Sequence, residues 1–160
     1  MSKVEYMKNS RYAFSMIELI FVIVILGILS AVAIPKLAAN RMDAQIVKAR
    51  SDVASIRSSI ATERQTRLIK GDSDFISGLS QNSTTLFDGN DSDHTLLLYG
   101  LAAGTENGRW ENTDGSPYKK YKFHVNDLAI AFEYNSTNGK FDCIDNNSGE
   151  EDKLCKRLVN

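Results

Sequence analysis

The sequence has little of several features that would mark a function. Its 160 residues carry no strong excess of charge, with 19 Lys+Arg against 20 Asp+Glu and a formal charge of −1. No overall electrostatic field therefore draws the chain onto nucleic acid or an anionic membrane. It has only two histidines, His94 and His124, and neither lies in a nucleophile or metal motif. We therefore expect no enzymatic activity.

The apolar residues are concentrated near the N-terminus. A hydrophobic content of 42% is enough for a core and excludes a disordered chain. Residues 14–34 form an apolar run in which Glu18 is the one strongly polar member. As a helix this run is about 31 Å long, which is enough to cross a bilayer core. A free cytosolic protein is thereby excluded.

The residues before this run favour one orientation in the membrane. Residues 1–13 carry Lys3, Lys8 and Arg11 against Glu5, and basic flanks stay cytoplasmic. An ordinary secretory signal peptide is the alternative, because Ala31-Val32-Ala33 has the A-x-A form that signal peptidase cleaves. The length of the apolar run and Glu18 argue against it, since a carboxylate within the membrane is costly.

Residues 14–35 are therefore expected to form the membrane-spanning helix, and a second, amphipathic helical segment, residues 36–71, continues from it into the head. Pro35 is expected to bend the helix rather than stop it, and Gly71 is expected to end it. Between these points the apolar residues recur with spacings of three and four, which predicts one narrow apolar seam on a single long helix. The seam consists of Ala39, Met42, Ile46, Ala49, Val53, Ile56 and Ile60.

The remaining residues, 72–160, predict a loop-rich head with a small sheet. Residues 94–100 are interpreted as a strand or a short helix. Residues 118–125, 128–134 and 140–144 predict strands, and Asn126-Asp127 predicts a hairpin turn. The predicted fold is therefore α+β, in which a long N-terminal helix packs on a three- or four-stranded antiparallel sheet.

The chain has two cysteines, Cys143 and Cys155. In an exported domain a disulfide is the default for such a pair, and closing a loop of this length contributes about 3 kcal/mol. It would tie the last residues to the final strand as a C-terminal disulfide loop. Zinc is the alternative, but no further Cys or His lies nearby to complete a site.

The N-terminal residues resemble those of a known family. The segment FSMIELIFVIVILGILSAVAIPKL closely resembles the N-terminus of type IV pilins and type II secretion pseudopilins. That family has a basic leader, a cleavage point, an aromatic first residue, a Glu four residues later and a Pro about twenty residues in. Phe14, Glu18 and Pro35 match this pattern, whereas Ala13 stands where the family usually has Gly. The head resembles the family only in its architecture.

The resemblance implies a role for each of these residues. A prepilin peptidase would cut between Ala13 and Phe14 and methylate the new Phe14 amine. Glu18 would pair with the Phe14 amine of a neighbouring subunit, so that each charge relieves the burial cost of the other. The alternative for Glu18 is a carboxylate that merely reaches the lipid headgroups. Gly27 and Pro35 would soften the helix, or would have no specific role.

Two other groups of residues are weaker candidates. Oxygen-bearing side chains in two turns offer calcium ligands, as the resemblance to major pseudopilins allows, but neither set completes an EF-hand, and solvated turns are the simpler explanation. Lysines beside Tyr118, Tyr121 and Trp110 would suit single-stranded DNA, or they protect an edge strand. The calcium candidates are Asp88, Asn90, Ser92 and Asp93, and Asp142, Asp145, Asn147 and Glu150; the lysines are Lys119, Lys120 and Lys122.

The sequence therefore predicts a single-pass inner-membrane subunit with a cytoplasmic leader and a periplasmic head, which then enters a filament. Its expected partners are copies of itself, related pilin-like subunits, a prepilin peptidase and the inner-membrane assembly machinery. The leading functional hypothesis is a pseudopilin of a type II secretion system, with no cofactor. The alternatives are a competence pseudopilin that takes up DNA, a minor type IV pilin, and a periplasmic protein with an ordinary signal peptide.

Overall fold

The first helix, α1, runs from Met16 to Ile69, a length of 54 residues, and includes Pro35. The computed structural model describes residues 14–90, 95–144 and 149–159. By its contacts the chain divides into two units, Met1–Ala39 and Asn40–Asn160. The prediction of one long helix that continues through Pro35 is confirmed.

The C-terminal end of α1 is closed by a glycine turn. Gly71 has a φ of +85°, a backbone conformation that costs glycine little. The Gly71 N–H donates to the carbonyl of Leu68 at 3.1 Å, and the Asp72 N–H donates to the carbonyl of Arg67 at 2.9 Å. This pair of hydrogen bonds is the Schellman motif, which satisfies carbonyls that the helix itself cannot. The predicted stop at Gly71 is confirmed.

Six strands and a second helix follow α1. The first two, β1 (Thr85–Leu86) and β2 (Leu101–Ala102), pair with each other. A four-stranded antiparallel sheet has the order β3-β4-β5-β6 and consists of β3 (Trp110–Asn112), β4 (Lys120–Val125), β5 (Leu128–Asn135) and β6 (Lys140–Cys143). The chain then forms α2 (Glu150–Val159).

The central hairpin agrees with the predicted alternation. Its inner face carries Tyr121, Phe123 and Val125 from β4 and Ile130, Phe132 and Tyr134 from β5, all buried. The pairing of Val125 with Leu128 leaves Asn126 and Asp127 as the turn. Both turn residues have positive φ, 47° and 63°, as a two-residue hairpin of the I′ type requires.

The apolar seam of α1 packs on this inner face. Ile46, Ala49, Val53, Ile56 and Ile60 are each at most 3% exposed, and Met42 packs against them. They join a cluster of aromatic rings that includes Phe132 stacked on Phe141, with centroids 5.3 Å apart. The side chain of Ala39 lies outside the described part. The predicted α+β layout, a long helix on a small antiparallel sheet, is confirmed.

Four elements were not predicted. The strands β1, β2 and β3 have two or three residues each, too few for a periodic pattern to show. Residues 95–100 form neither the predicted strand nor a short helix, and His94 lies outside the described residues. The chain end is also more ordered than the expected disulfide loop, since it forms α2, with Leu154, Cys155 and Leu158 buried.

Polar side chains beside the seam bind to the sheet. The Trp110 indole N–H donates to Asp52 Oδ2 at 3.0 Å. Lys48 Nζ donates to the same carboxylate oxygen at 3.2 Å and to the carbonyl of Gly108 at 2.8 Å. These bonds satisfy a buried indole N–H that would otherwise be costly and fix one side of α1 against β3.

Two tyrosines on the inner face are held protonated by burial. The Tyr134 hydroxyl donates to the carbonyl of Ile76 at 2.8 Å, and burial raises the pKa of Tyr134 to about 12, partly opposed by Arg67. Burial likewise raises the pKa of Tyr121 well above its ordinary value, opposed by the hydrogen bond between its hydroxyl and Ser80 Oγ at 2.8 Å. Both hydroxyls therefore serve as hydrogen-bonding groups of the core.

We expect Ile56→Ala to lower the free energy of unfolding by about 2 to 5 kcal/mol, because it leaves a cavity in a fully buried seam. The measurement is guanidinium unfolding of the full-length protein in detergent micelles, followed by the fluorescence of Trp110, the one tryptophan. The matched control is Val47→Ala on the same helix, where the side chain is 65% exposed. Equal losses in the two variants would contradict the packing of the seam.

Candidate functional site

The N-terminal part of α1, together with Phe14, presents an apolar surface on every side. Each large apolar side chain between Phe14 and Leu37 is at least 40% exposed. Among the described residues, α1 is the one helix that is long and apolar enough to cross a membrane, and none of its most apolar window is buried. Such a surface needs lipid or other apolar helices around it.

The helix begins with a serine cap. The Ser15 hydroxyl accepts the backbone N–H of Glu18 at 3.2 Å, and the Ser15 carbonyl accepts the N–H of Leu19, also at 3.2 Å. Ser15 is therefore the N-cap residue and Glu18 the third helical residue, the spacing of a capping box. The S-x-x-E pattern of residues 15–18 is the sequence signal for this cap, and it is not among the predictions above.

Glu18 lies exposed within the apolar surface, one helical turn from Phe14. A carboxylate in the first turn interacts favourably with the helix dipole. Among the ion pairs that the described residues form, none includes Glu18. Phe14 is 73% exposed and precedes the helix. Ala13, the other residue of the expected cleavage point, lies outside the described residues.

Gly27 and Pro35 are both inside α1. A Cβ added at Gly27 would meet no atom within 4 Å, so nothing in this single chain requires glycine there.

The two cysteines form a disulfide in the structure. Cys143 at the end of β6 is bonded to Cys155 in α2, with the Cα atoms 5.9 Å apart, within the usual range for a disulfide. Because Cys155 is in a helix, the bond fixes α2 to the sheet.

The calcium candidates that the structure describes form hydrogen bonds or ion pairs with other protein groups. Asp88 Oδ1 accepts the Gln81 N–H at 3.1 Å, and the Asn90 amide donates to Ser77 Oγ at 2.6 Å. In the second group Asp142 pairs with Arg57, and Glu150 pairs with Lys153. Ser92, Asp93, Asp145 and Asn147 lie outside the described residues. Within the described part, no group of three His, Cys, Asp or Glu side chains is placed to hold a metal ion.

The structure buries two of the three aromatic rings on which the DNA hypothesis depends, and the third, Tyr118, is half-buried. Trp110 and Tyr121 are 1% and 0% exposed, so neither ring can stack on a base. The edge-strand explanation for Lys120 and Lys122 is also wrong, because β4 lies between β3 and β5. Lys119 Nζ donates to Ser136 Oγ at 2.8 Å.

The remaining histidine has a local partner. His124 Nε2 lies 2.9 Å from Glu111 Oε2 across the β3-β4 pair. Because the two side chains extend from neighbouring strands, the contact is an ordinary cross-strand pair.

Comparison with known proteins gives one match. Residues 8–34 match the family model described as the prokaryotic N-terminal methylation motif. No curated protein and no solved structure matches the chain. The match covers Phe14, Glu18 and the whole apolar run, where the structure has its helix cap and its unburied apolar surface. The chain thus carries the N-terminal signature of type IV pilins and pseudopilins.

Proposed function

We propose that this protein is a pseudopilin of a type II secretion system, whose subunits assemble through the N-terminal half of α1 to drive protein export. The observation that carries the proposal is the unburied apolar helix surface within the matched motif. A helix that is apolar on all sides fits both of its proposed environments, since lipid surrounds it before assembly and neighbouring helices surround it afterwards.

The proposal places the leader in the cytoplasm, the span in the inner membrane and the head in the periplasm. Pilin-like subunits are structural proteins, and the motif implies processing by a prepilin peptidase. Neither a cofactor nor bound calcium has a part in the proposal. Uptake of DNA and attachment use the same N-terminal motif. Secretion is favoured over DNA uptake because two of the three aromatic residues suggested for DNA stacking, Trp110 and Tyr121, are buried.

The mature N-terminus tests the processing step. We expect mass spectrometry of the purified protein to find Phe14 as the first residue, carrying one methyl group on its amine. The variant Ala13→Gly should give the same product, because it restores the residue that the family usually has before the cut. A mature chain that begins at Ile34, after the Ala31-Val32-Ala33 sequence, would instead show cleavage by signal peptidase.

Variants of Glu18 test its role in assembly. We expect Glu18→Ala and Glu18→Gln both to insert and be processed, yet to be nearly absent from sheared filaments. The terminal amine of a neighbouring subunit would then lack its charged partner. Glutamine also suits the third position of a capping box, so Glu18→Gln separates the charge from the cap. Immunoblots of membrane and sheared fractions provide the measurement.

Ser30→Ala is the matched control, because it changes another polar residue of the span without removing a charge. It should assemble as the wild type does. Normal incorporation of Glu18→Gln would remove the charge from the mechanism, and normal incorporation of Glu18→Ala would remove the side chain altogether.

The secreted proteins test the proposed system. An in-frame deletion strain, with and without complementation, is compared with its parent by mass spectrometry of the culture supernatant and the periplasm. We expect specific soluble proteins to leave the medium and accumulate in the periplasm, with complementation restoring their export. An unchanged secretome would contradict the secretion role and favour DNA uptake or attachment.

A further inference from the structure

Among the described residues, no strand pairs with the outer edge of β6, so one edge of the main sheet is open there. It is last in the order β3-β4-β5-β6 and pairs only with β5. The Ile144 N–H donates to the carbonyl of Ala131 at 2.8 Å. Hydrogen-bonded positions alternate along an antiparallel pair, so the backbone groups of Phe141 and Cys143 point away from β5. Such an edge is a template for a strand from another chain.

One arginine of α1 binds directly at this edge. Arg57 Nε donates to the carbonyl of Phe141 at 2.9 Å, and the same guanidinium pairs with the Asp142 carboxylate. Its Nη1 donates to the carbonyl of Val159, the last residue of α2, at 3.4 Å. The planar fork of arginine suits such a bridge. Arg57 therefore joins the open edge to the end of α2.

Further contacts hold α2 at that position. Arg50, two helical turns before Arg57 and so on the same face of α1, donates from Nε to the carbonyl of Arg157. The Arg157 guanidinium in turn lies 3.1 Å from Asp43 Oδ1. The last carbonyls of a helix have no partner within the helix, and α1 supplies arginine donors to two of them. Leu158 is 2% exposed, and α2 packs against β5 and β6.

We infer that α2, held by Arg57, is a strap that prevents the β6 edge from pairing with the β6 edge of a second copy. Two identical antiparallel edges complement each other about a two-fold axis, because each presents the donors and acceptors that the other needs. The strand most available to pair with the β6 edge is the β6 edge of a second copy, because every copy carries the same edge at the same concentration. The inference concerns the head alone and does not depend on the proposed role in secretion.

The test uses the full-length protein in detergent micelles and a fluorescent peptide of residues 138–144 that carries C143S. Arg57→Met keeps most of the side-chain stem and removes the guanidinium. We expect this variant to bind the peptide saturably by fluorescence anisotropy, whereas the wild type and Arg41→Met do not. Arg41→Met is the matched control, an exposed arginine of the same helix. A scrambled peptide excludes binding to the micelle.

Residue-resolved amide exchange shows whether the strap has opened. In Arg57→Met we expect the amides of α2 to exchange at least tenfold faster, with those of β4 and β5 unchanged. Leu158→Ala is a second variant that loosens α2 without altering α1, and it should also admit the peptide. If Arg57→Met also loses protection in β5, the sheet itself has unfolded, and Leu158→Ala alone decides the outcome.

Three results would overturn the inference. Equal peptide binding by the wild type would show that the edge is already open. Faster exchange of α2 without peptide binding, in whichever variants keep β5 protected, would show that α2 does not guard the edge. Unchanged exchange of α2 in Arg57→Met would show that the guanidinium does not hold the strap.

Discussion

The burial of one narrow seam of α1 against the aromatic face of the sheet is the interaction on which the head depends. The seam includes Ala49 and Ile56, both 0% exposed, and it packs within the same core as Trp110, Phe132 and Phe141. The seam is one residue wide, with residues spaced three and four apart, so α1 alone cannot shield it from water. Its burial requires another element packed against it. The sheet, apolar on its inner face only, has the same requirement.

Polar side chains on both sides of the seam set the rotation of α1 on the sheet. Asp52 accepts the indole N–H of Trp110 in β3, whereas Arg57 donates to the carbonyl of Phe141 in β6. These are the two edge strands of the sheet. A helix held at both ends of a sheet cannot roll without leaving a buried polar group unpaired, which costs more than the bond contributes when formed. Apolar contacts supply most of the stability, and these bonds supply the orientation.

The parts of the fold that the sequence predicted were those in which an apolar pattern repeats several times. The seam and the alternation in β4 and β5 repeat several times, so single exceptions do not obscure them. The three residues of β3 are too few to show the alternation of apolar and polar residues that predicts a strand. For α2 the signals were present, with Glu150, Glu151 and Asp152 in its first turn and Lys156 and Arg157 in its last, but Cys155 had been interpreted as part of a loop. The alternation in β4 already placed Tyr121 on the inner face with Phe123, so the sequence was enough to exclude Tyr121 as a base-stacking residue.

In the proposed filament, subunits have to associate through α1. Their heads lie close together and must not pair with one another through open sheet edges. Both edges of the main sheet meet this requirement, by different means. At β3, Ala103 bridges to Trp110, and the Gly104 N–H donates to the Trp110 carbonyl at 2.9 Å, so the chain itself covers the edge. At β6 the described part of the chain adds no further strand, and Arg57 with α2 covers the edge instead. The disulfide then has a physical reason for its position, because it keeps α2 beside the edge during any transient opening and so favours its return over pairing with another chain.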